Sequence, residues 1–201
     1  HKMSMKVNKK LFVVDFGFNT GDVFASLFKS CEAYRNQSQI DASSVIIFEG
    51  GSDINPELYH EPRGTWTHQP NTMRDDLELS LFSLASFRGA GFIGICRGAQ
   101  LLTALSGGSI FQDVTGHNNN HAMETFAGER IMTTSIHHQM MNPFLLPEDE
   151  YKLIAWAVAP LRKLDALSSC YLNGNDVTDF IPEKEPEIVW YPKTKSLCIQ
   201  G

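Results

Sequence analysis

A cysteine with a glycine two residues to either side, in Gly94-Ile95-Cys96-Arg97-Gly98-Ala99-Gln100, has the spacing of a nucleophile elbow. The apolar run Gly91-Phe92-Ile93-Gly94-Ile95 before it reads as a buried parallel strand. Leu101, Leu102 and Leu105 after it recur at helical spacing, and Gly107-Gly108 supplies a helix stop. Cys96 is therefore expected at a sharp strand-to-helix turn, where glycines allow the strand and helix to approach closely. A thiol at a helix N-terminus is expected to favour the thiolate, the reactive form. Cys96 is the candidate nucleophile.

Other residue types in the chain invite chemistry too. Gly50-Gly51 follows an apolar run, so its backbone N–H groups can face a reacting oxygen without side-chain obstruction. His137-His138-Gln139 has the composition of a base or a metal ligand, and His117 and His121 lie four apart. Gly116 and Asn118-Asn119-Asn120 argue against a helix that would align that second pair, and no further ligand stands at a defined spacing. No metal and no cofactor are expected. Arg74, Asp75 and Glu78 open a helix, where acids favour the positive end of the dipole; capping accounts for Asp75 without a catalytic role. Trp66 and His68 belong to a long polar loop whose aromatic residues either line a crevice mouth or anchor the loop.

The elements that must position these residues alternate. Lys10–Phe16 reads as a strand, and Val23, Phe24, Leu27, Phe28, Cys31 and Tyr34 follow helical spacing after it. Val45–Phe48 is a second strand, and the loop from Ser52 to about Asn71 precedes a helix with a capping-box pattern at Thr72-x-x-Asp75. Leu77, Leu81, Leu84 and Phe87 form the expected apolar face of that helix. The βαβαβα order predicts a parallel sheet with helices on both faces and a ligand crevice at the carboxyl ends of the strands, where Gly50-Gly51 and Cys96 both fall. Short strands follow at 109–111, 130–134, 152–156 and 166–171, and 187–191 with 197–199 is expected to close as a hairpin. Residues 173–186 read as a mobile surface loop.

Composition sets the bounds. The 201 residues are 42% hydrophobic and 20% charged, which suits one globular domain over residues 3–201. His1-Lys2 before Met3 reads as a tag remnant. A net charge of −6 leaves no basic footprint for nucleic acid. No apolar run approaches the roughly 20 residues of a membrane span, and no signal core opens the chain, so a cytoplasmic protein is expected. Cys31, Cys96, Cys170 and Cys198 are widely spaced, which argues for reduced thiols rather than a disulfide framework. Gly17-Phe18-Asn19-Thr20-Gly21 lacks the Gly-x-Gly-x-x-Gly spacing of a dinucleotide site.

Five stretches in order carry a family resemblance: Gly50-Gly51-Ser52-Asp53-Ile54-Asn55-Pro56-Glu57-Leu58-Tyr59, Arg74-Asp75-Asp76-Leu77-Glu78, the Cys96 elbow, Gly107–Asp113, and Ser135-Ile136-His137-His138-Gln139. The chain resembles the class I glutamine amidotransferase-like family, most of all its γ-glutamyl-γ-aminobutyrate hydrolase branch, peptidase C26. The resemblance implies an α/β fold: a flavodoxin-like sheet, parallel but mixed at the edge, flanked by helices and bearing a nucleophile elbow. It implies an oxyanion hole from the Gly51 and Arg97 N–H groups. It assigns Gln100, His137, His138 and Gln139 to the wall holding the amino-acid end of the substrate. Glu49 departs from the uncharged residue usual in the family; it is either a solvated loop carboxylate or a change in pocket charge. The family's His-Pro-Glu motif, which supplies the other two triad members, is due just after Gly201; His138 is the one stand-in base in the chain. The implied activity is hydrolysis of a γ-glutamyl amide through a thioester. The leaving group is an amine in a free-standing hydrolase, or ammonia passed to a synthetase or ligase partner. A binding module that has lost its His/Glu pair is the non-catalytic alternative.

Overall fold

The computed structural model describes residues 6–65, 67–114, 120–134, 137–158, 171–172 and 182–201, with the backbone alone at 171–172. Trp66, His117, Ser135, Ile136, Cys170, residues 166–169 of one expected strand and 173–181 of the expected loop lie outside the described residues. In chain order the elements are β1 (Val7–Val14), α1 (Thr20–Phe24), β2 (Phe28–Ala33), β3 (Ser44–Phe48), α2 (Thr72–Phe87), β4 (Gly91–Ile95) and α3 (Arg97–Leu105). There follow β5 (Ser109–Phe111), β6 (Asp113–Val114), β7 (His121–Thr125), β8 (Arg130–Thr133), β9 (Met140–Asn142), β10 (Lys152–Ala157), β11 (Tyr171–Leu172), β12 (Pro186–Tyr191) and β13 (Ser196–Ile199).

One mixed nine-stranded sheet runs β2-β1-β3-β4-β13-β12-β10-β7-β8. Its first five strands pair in parallel and the rest antiparallel. β12 and β13 form the expected hairpin, with Ile188 opposite Ile199. The central parallel strands β3 and β4 and the second half of β1 are buried on both sides, hence their unbroken apolar runs, whereas the edge strand β2 (Phe-Lys-Ser-Cys-Glu-Ala) buries only Phe28. Phe12, Val14, Ile46, Phe48 and Phe92 point to one face and meet Leu81 and Ala85 of α2 and Ala99, Leu101 and Leu102 of α3. Leu11, Val13, Val45, Ile47 and Ile93 point to the other and meet Phe28 and Phe24. β3→α2→β4 and β4→α3→β13 step across the sheet in one direction, so right-handed crossovers put both long helices on one face; the reversed step β1→β2 leaves α1 on the opposite one. Each large side chain buried here contributes about 1.5–3 kcal/mol.

Two expected helices are corrected. The apolar spacing from Val23 to Tyr34 yields only α1 and a single 3-10 turn before the chain becomes β2. Val23 and Leu27 are exposed, and pairing with the open edge of β1 satisfies more backbone from Phe28 on than another helical turn would. Of the expected apolar face of α2, Leu81 is buried and Leu84 half-buried, but Leu77 is 51% and Phe87 90% exposed; the inward face is Arg74, Asp75, Glu78, Leu81 and Ala85. Its cap is the Asn71 side chain, which accepts from the Arg74 N–H at 3.1 Å, rather than a Thr72–Asp75 box.

Candidate active site

Cys96 sits between β4 and α3 with φ 51° and ψ −109°, a conformation unfavourable for any residue with a Cβ. The flanking glycines make it attainable. A Cβ on Gly94 would lie 2.6 Å from the Ala99 nitrogen, and one on Gly98 would be driven into the Phe48 carbonyl. The small-x-Cys-x-small pattern is thus a packing requirement between β4, α3 and β3. The Cys96 Sγ–H donates to the Gln200 carbonyl at 2.9 Å, which ties the thiol to the end of β13.

The Gly50-Gly51 turn lies beside this thiol. A Cβ at Gly50 would be 3.7 Å from the Cys96 Cβ, and one at Gly51 (φ +146°) would strike the Arg74 guanidinium. Arg97 is the first residue of α3, so its N–H is among those with no acceptor inside the helix. Its side chain turns away from the thiol into a buried ion cluster. Arg97 Nη1 donates to Glu78 Oε1 at 2.8 Å, Arg97 Nη2 to Asp75 Oδ1, and Arg74 Nε to the same Glu78 oxygen at 2.6 Å. Arg74 Nη2 also donates to the Glu49 carbonyl at 2.9 Å. Two guanidinium and two carboxylate groups balance in a dry interior, where one left unpaired would be costly. The cluster binds the end of β3, the start of α2 and the start of α3 into one base beneath the turn. Capping therefore does not account for Asp75. Glu49 is neither solvated nor in the pocket: its buried carboxylate accepts from Phe16 N–H (2.7 Å) and from the Thr20 N–H and hydroxyl (3.1 and 2.6 Å).

Gln100 and His137 converge on the Gln139 carbonyl, whereas the His138 ring is turned to Asp53 and Asp113. Gln100 Nε2 donates to the Gln139 carbonyl at 3.4 Å, and His137 Nδ1–H donates to the same carbonyl at 2.6 Å. The Gln139 side-chain amide donates to Thr67 Oγ1 and to the Gln112 carbonyl, both at 3.2 Å, while its Oε1 is buried with no partner among the described residues. Gln112 anchors the long loop, accepting from Gly64 N–H at 2.7 Å and from the Thr67 hydroxyl at 2.6 Å. His138 is held at both nitrogens, with Nε2 2.9 Å from Asp53 Oδ2 and Nδ1 3.3 Å from Asp113 Oδ1. Asp113 and Asp53 push its pKa up to about 9, so it is a cation near neutral pH and unsuited to accept a proton from Cys96. The His68 ring lies 4.4 Å from that of His138, and the His68 N–H donates to Asp53 Oδ2 at 2.7 Å.

The thiol itself departs from expectation. Burial pushes the Cys96 pKa up to about 11, with a smaller push from the Glu187 carboxylate. Glu187 stands opposite Gln200 on the neighbouring strand, and its Oε1 is 2.5 Å from His121 Nε2. His121, considered at first with His117, is thus engaged with a buried carboxylate. Three groupings are not legible in the sequence: the Arg74–Asp75–Glu78–Arg97 cluster, the His121–Glu187 pair and the Asp53–His68–His138 cluster. Only the first left a local trace, the i,i+4 spacing of Arg74 and Glu78. The others join residues distant in sequence.

With this geometry in place, comparison with known proteins defines the class. The structure has the fold of class I glutamine amidotransferases. A glutamine amidotransferase from Thermotoga maritima superposes with a TM-score of 0.57 at 14% identity, over 98% of this chain and 76% of that one. A Thermoplasma acidophilum protein described as a GMP synthase component gives 0.57 at 14% identity over 96% and 83%. At such identities the likeness concerns the fold. The Peptidase C26 family model matches residues 25–143, more than half of the sequence, and the chain belongs to that family. Protein NtpR of Enterococcus hirae is 40% identical over 87 residues, 43% of this chain and 34% of NtpR, so the chain spans about a third of that relative. Among the described residues no helix is long and apolar enough to cross a membrane.

Proposed function

We propose that this chain carries the nucleophile of an amidohydrolase that cleaves γ-glutamyl amides through a thioester. The observation that carries the reading is the strained Cys96 elbow directly beside the Gly50-Gly51 turn. Cys96 Sγ gives up its proton and bonds to the side-chain amide carbon. The carbonyl oxygen becomes negative and is met by the Gly51 and Arg97 N–H groups. The C–N bond then breaks, the amine leaves with a proton, and water hydrolyses the γ-glutamyl thioester to glutamate and free thiol. A thiol with a pKa near 11 needs a base, and the proposed base and its carboxylate are the His and Glu that the family's motif places after Gln200-Gly201. The substrate's amino-acid end lies along Gln100, His137, His138 and Gln139. The buried, unsatisfied Gln139 Oε1 supports this, because a substrate ammonium would supply its missing donor. Residues 3–201 act as one domain, and the compartment is cytoplasmic.

A second reading, an ammonia-supplying partner of a synthetase or ligase, draws on the likeness to a protein described as a GMP synthase component. It draws also on exposed apolar residues near the turn: Met73 is 83% exposed, and the Phe16 ring lies 4.0 Å from the Arg74 guanidinium. The test is turnover of glutamine and of γ-glutamyl-amines by the full-length protein, with Cys96→Ala as control, together with stoichiometric labelling of Cys96 by a glutamine-mimicking electrophile. Amine release without a partner supports the hydrolase. Glutamine turnover that rises only with a synthetase present supports the ammonia supplier. Absence of both turnover and labelling favours the non-catalytic module.

A further inference from the structure

Asp53 and His68 come from the two ends of the long connection between β3 and α2, and His138 from the stretch between β8 and β9, 85 residues from Asp53. One ligand atom from each lies within 4.8 Å of the other two. We propose that these residues form a divalent transition-metal site of the zinc class, of which the sequence marks only His138 as a candidate ligand.

The donors select the metal. Two imidazoles and one carboxylate suit Zn2+, Co2+ or Ni2+, whereas Mg2+ and Ca2+ require more oxygen ligands than this set supplies. The outer layer is also in place. Asp113 Oδ1 lies 3.3 Å from His138 Nδ1, so that nitrogen keeps its proton and Nε2 is turned to Asp53. This is the carboxylate–histidine–metal arrangement that orients a ligand imidazole. The buried Asp53 carboxylate is braced by the His68 N–H at 2.7 Å.

Only one ligand has to move. His138 Nε2 and Asp53 Oδ2, 2.9 Å apart, already have the separation of two donors on one metal, and the ion takes the place of the proton between them. His68 Nδ1 stands 3.9 Å from the same oxygen, about an ångström too far, but its side chain is 70% exposed and turns at little cost. That exposed ring is also the way in from solvent. Three protein ligands leave a fourth position for water. Bound metal would clamp the segment that begins at Gly50-Gly51 to the His137–Gln139 wall, coupling metal occupancy to the shape of the crevice.

The experiment is titration of the metal-free full-length protein with Co2+, read by visible d–d absorption, and with Zn2+, read by calorimetry. One ion per chain with micromolar or tighter affinity, and d–d bands of a four- or five-coordinate site, is expected. His68→Ala leaves the buried groups in place and is expected to weaken binding at least about tenfold; Asp113→Asn, which touches only the outer layer, about tenfold or more. Circular dichroism of both variants checks that the fold is retained. Absence of saturable binding overturns the proposal. So does binding that His68→Ala leaves unchanged, or a Co2+–thiolate charge-transfer band, which would place the ion on a cysteine. None of these readouts depends on amide hydrolysis, so the metal site and the proposed activity stand or fall separately.

Discussion

Two charged clusters flank the same glycine turn and differ in almost everything but position. Below Gly51 lie Arg74, Arg97, Asp75 and Glu78, all buried, with planar guanidinium forks that fix the geometry of their partners. Beyond it lie Asp53, Asp113, His68 and His138, part buried and part exposed, centred on an imidazole. The dry cluster joins β3, α2 and α3 through fixed forks. The wet one joins loops through a group that can exchange its proton. The difference teaches that the turn has a rigid side, which sets the geometry for chemistry, and an adjustable side, which can respond to what binds.

The sharpest way to break this contrast is to remove one charge from the dry cluster. Arg97→Met leaves Asp75 and part of Glu78 uncompensated and is expected to cost about 3–5 kcal/mol in urea unfolding. Replacing all four members, Arg74, Arg97, Asp75 and Glu78, together by apolar residues of similar volume leaves no buried charge unpaired and is expected to recover much of that loss. If Arg97→Met unfolds no more easily than the parent, the cluster is not the base of the elbow. Gly98→Ala comes next. Its methyl group meets the Phe48 carbonyl, and β3 and α3 must part, at about 1–3 kcal/mol and with a disturbed elbow. Unchanged stability and Cys96 labelling would mean that the close approach is not needed. On the wet side His138→Gln exchanges two charge-assisted hydrogen bonds for weaker ones and is expected to cost about 1–2 kcal/mol by the same measurement. A cost equal to that of Arg97→Met would erase the distinction.

How far these features were legible in sequence follows the distance over which each is specified. The elbow is legible because strand, nucleophile, both glycines and helix lie within one short stretch, although its close contacts with Phe48 and Gln200 are not. The central parallel strands β3 and β4 are legible because strands buried on both faces must be continuously apolar. The fate of Val23–Tyr34 is not, since those residues suit a helix locally and are drawn into β2 by an open strand edge far from them in sequence. The inward face of α2 is only partly legible for a related reason: Leu81 follows the periodicity, but the first buried positions, Arg74, Asp75 and Glu78, are charged, and hydrophobic periodicity cannot register an interior made of ion pairs. His138 was picked out with its wall, but not its bond to Asp53, 85 residues away.

The smallest effect tests the thiol between the two clusters. Cys96 is buried and faces Glu187 two strands away, and both circumstances hold its proton on, with burial the larger. Alkylation by iodoacetamide tracks the thiolate fraction, so the rate at Cys96, followed by peptide mapping on the 201-residue chain, is expected to climb about tenfold per pH unit up to a midpoint of about 11. Glu187→Gln removes the carboxylate but not the burial. The midpoint should therefore move down only part of the way, and the rate at pH 8 should rise about two- to five-fold. A midpoint near 7 in the parent would mean that the helix N-terminus outweighs desolvation after all. In that case the thiol would be activated by the elbow alone, and the need for a base beyond Gly201 would lose its physical ground.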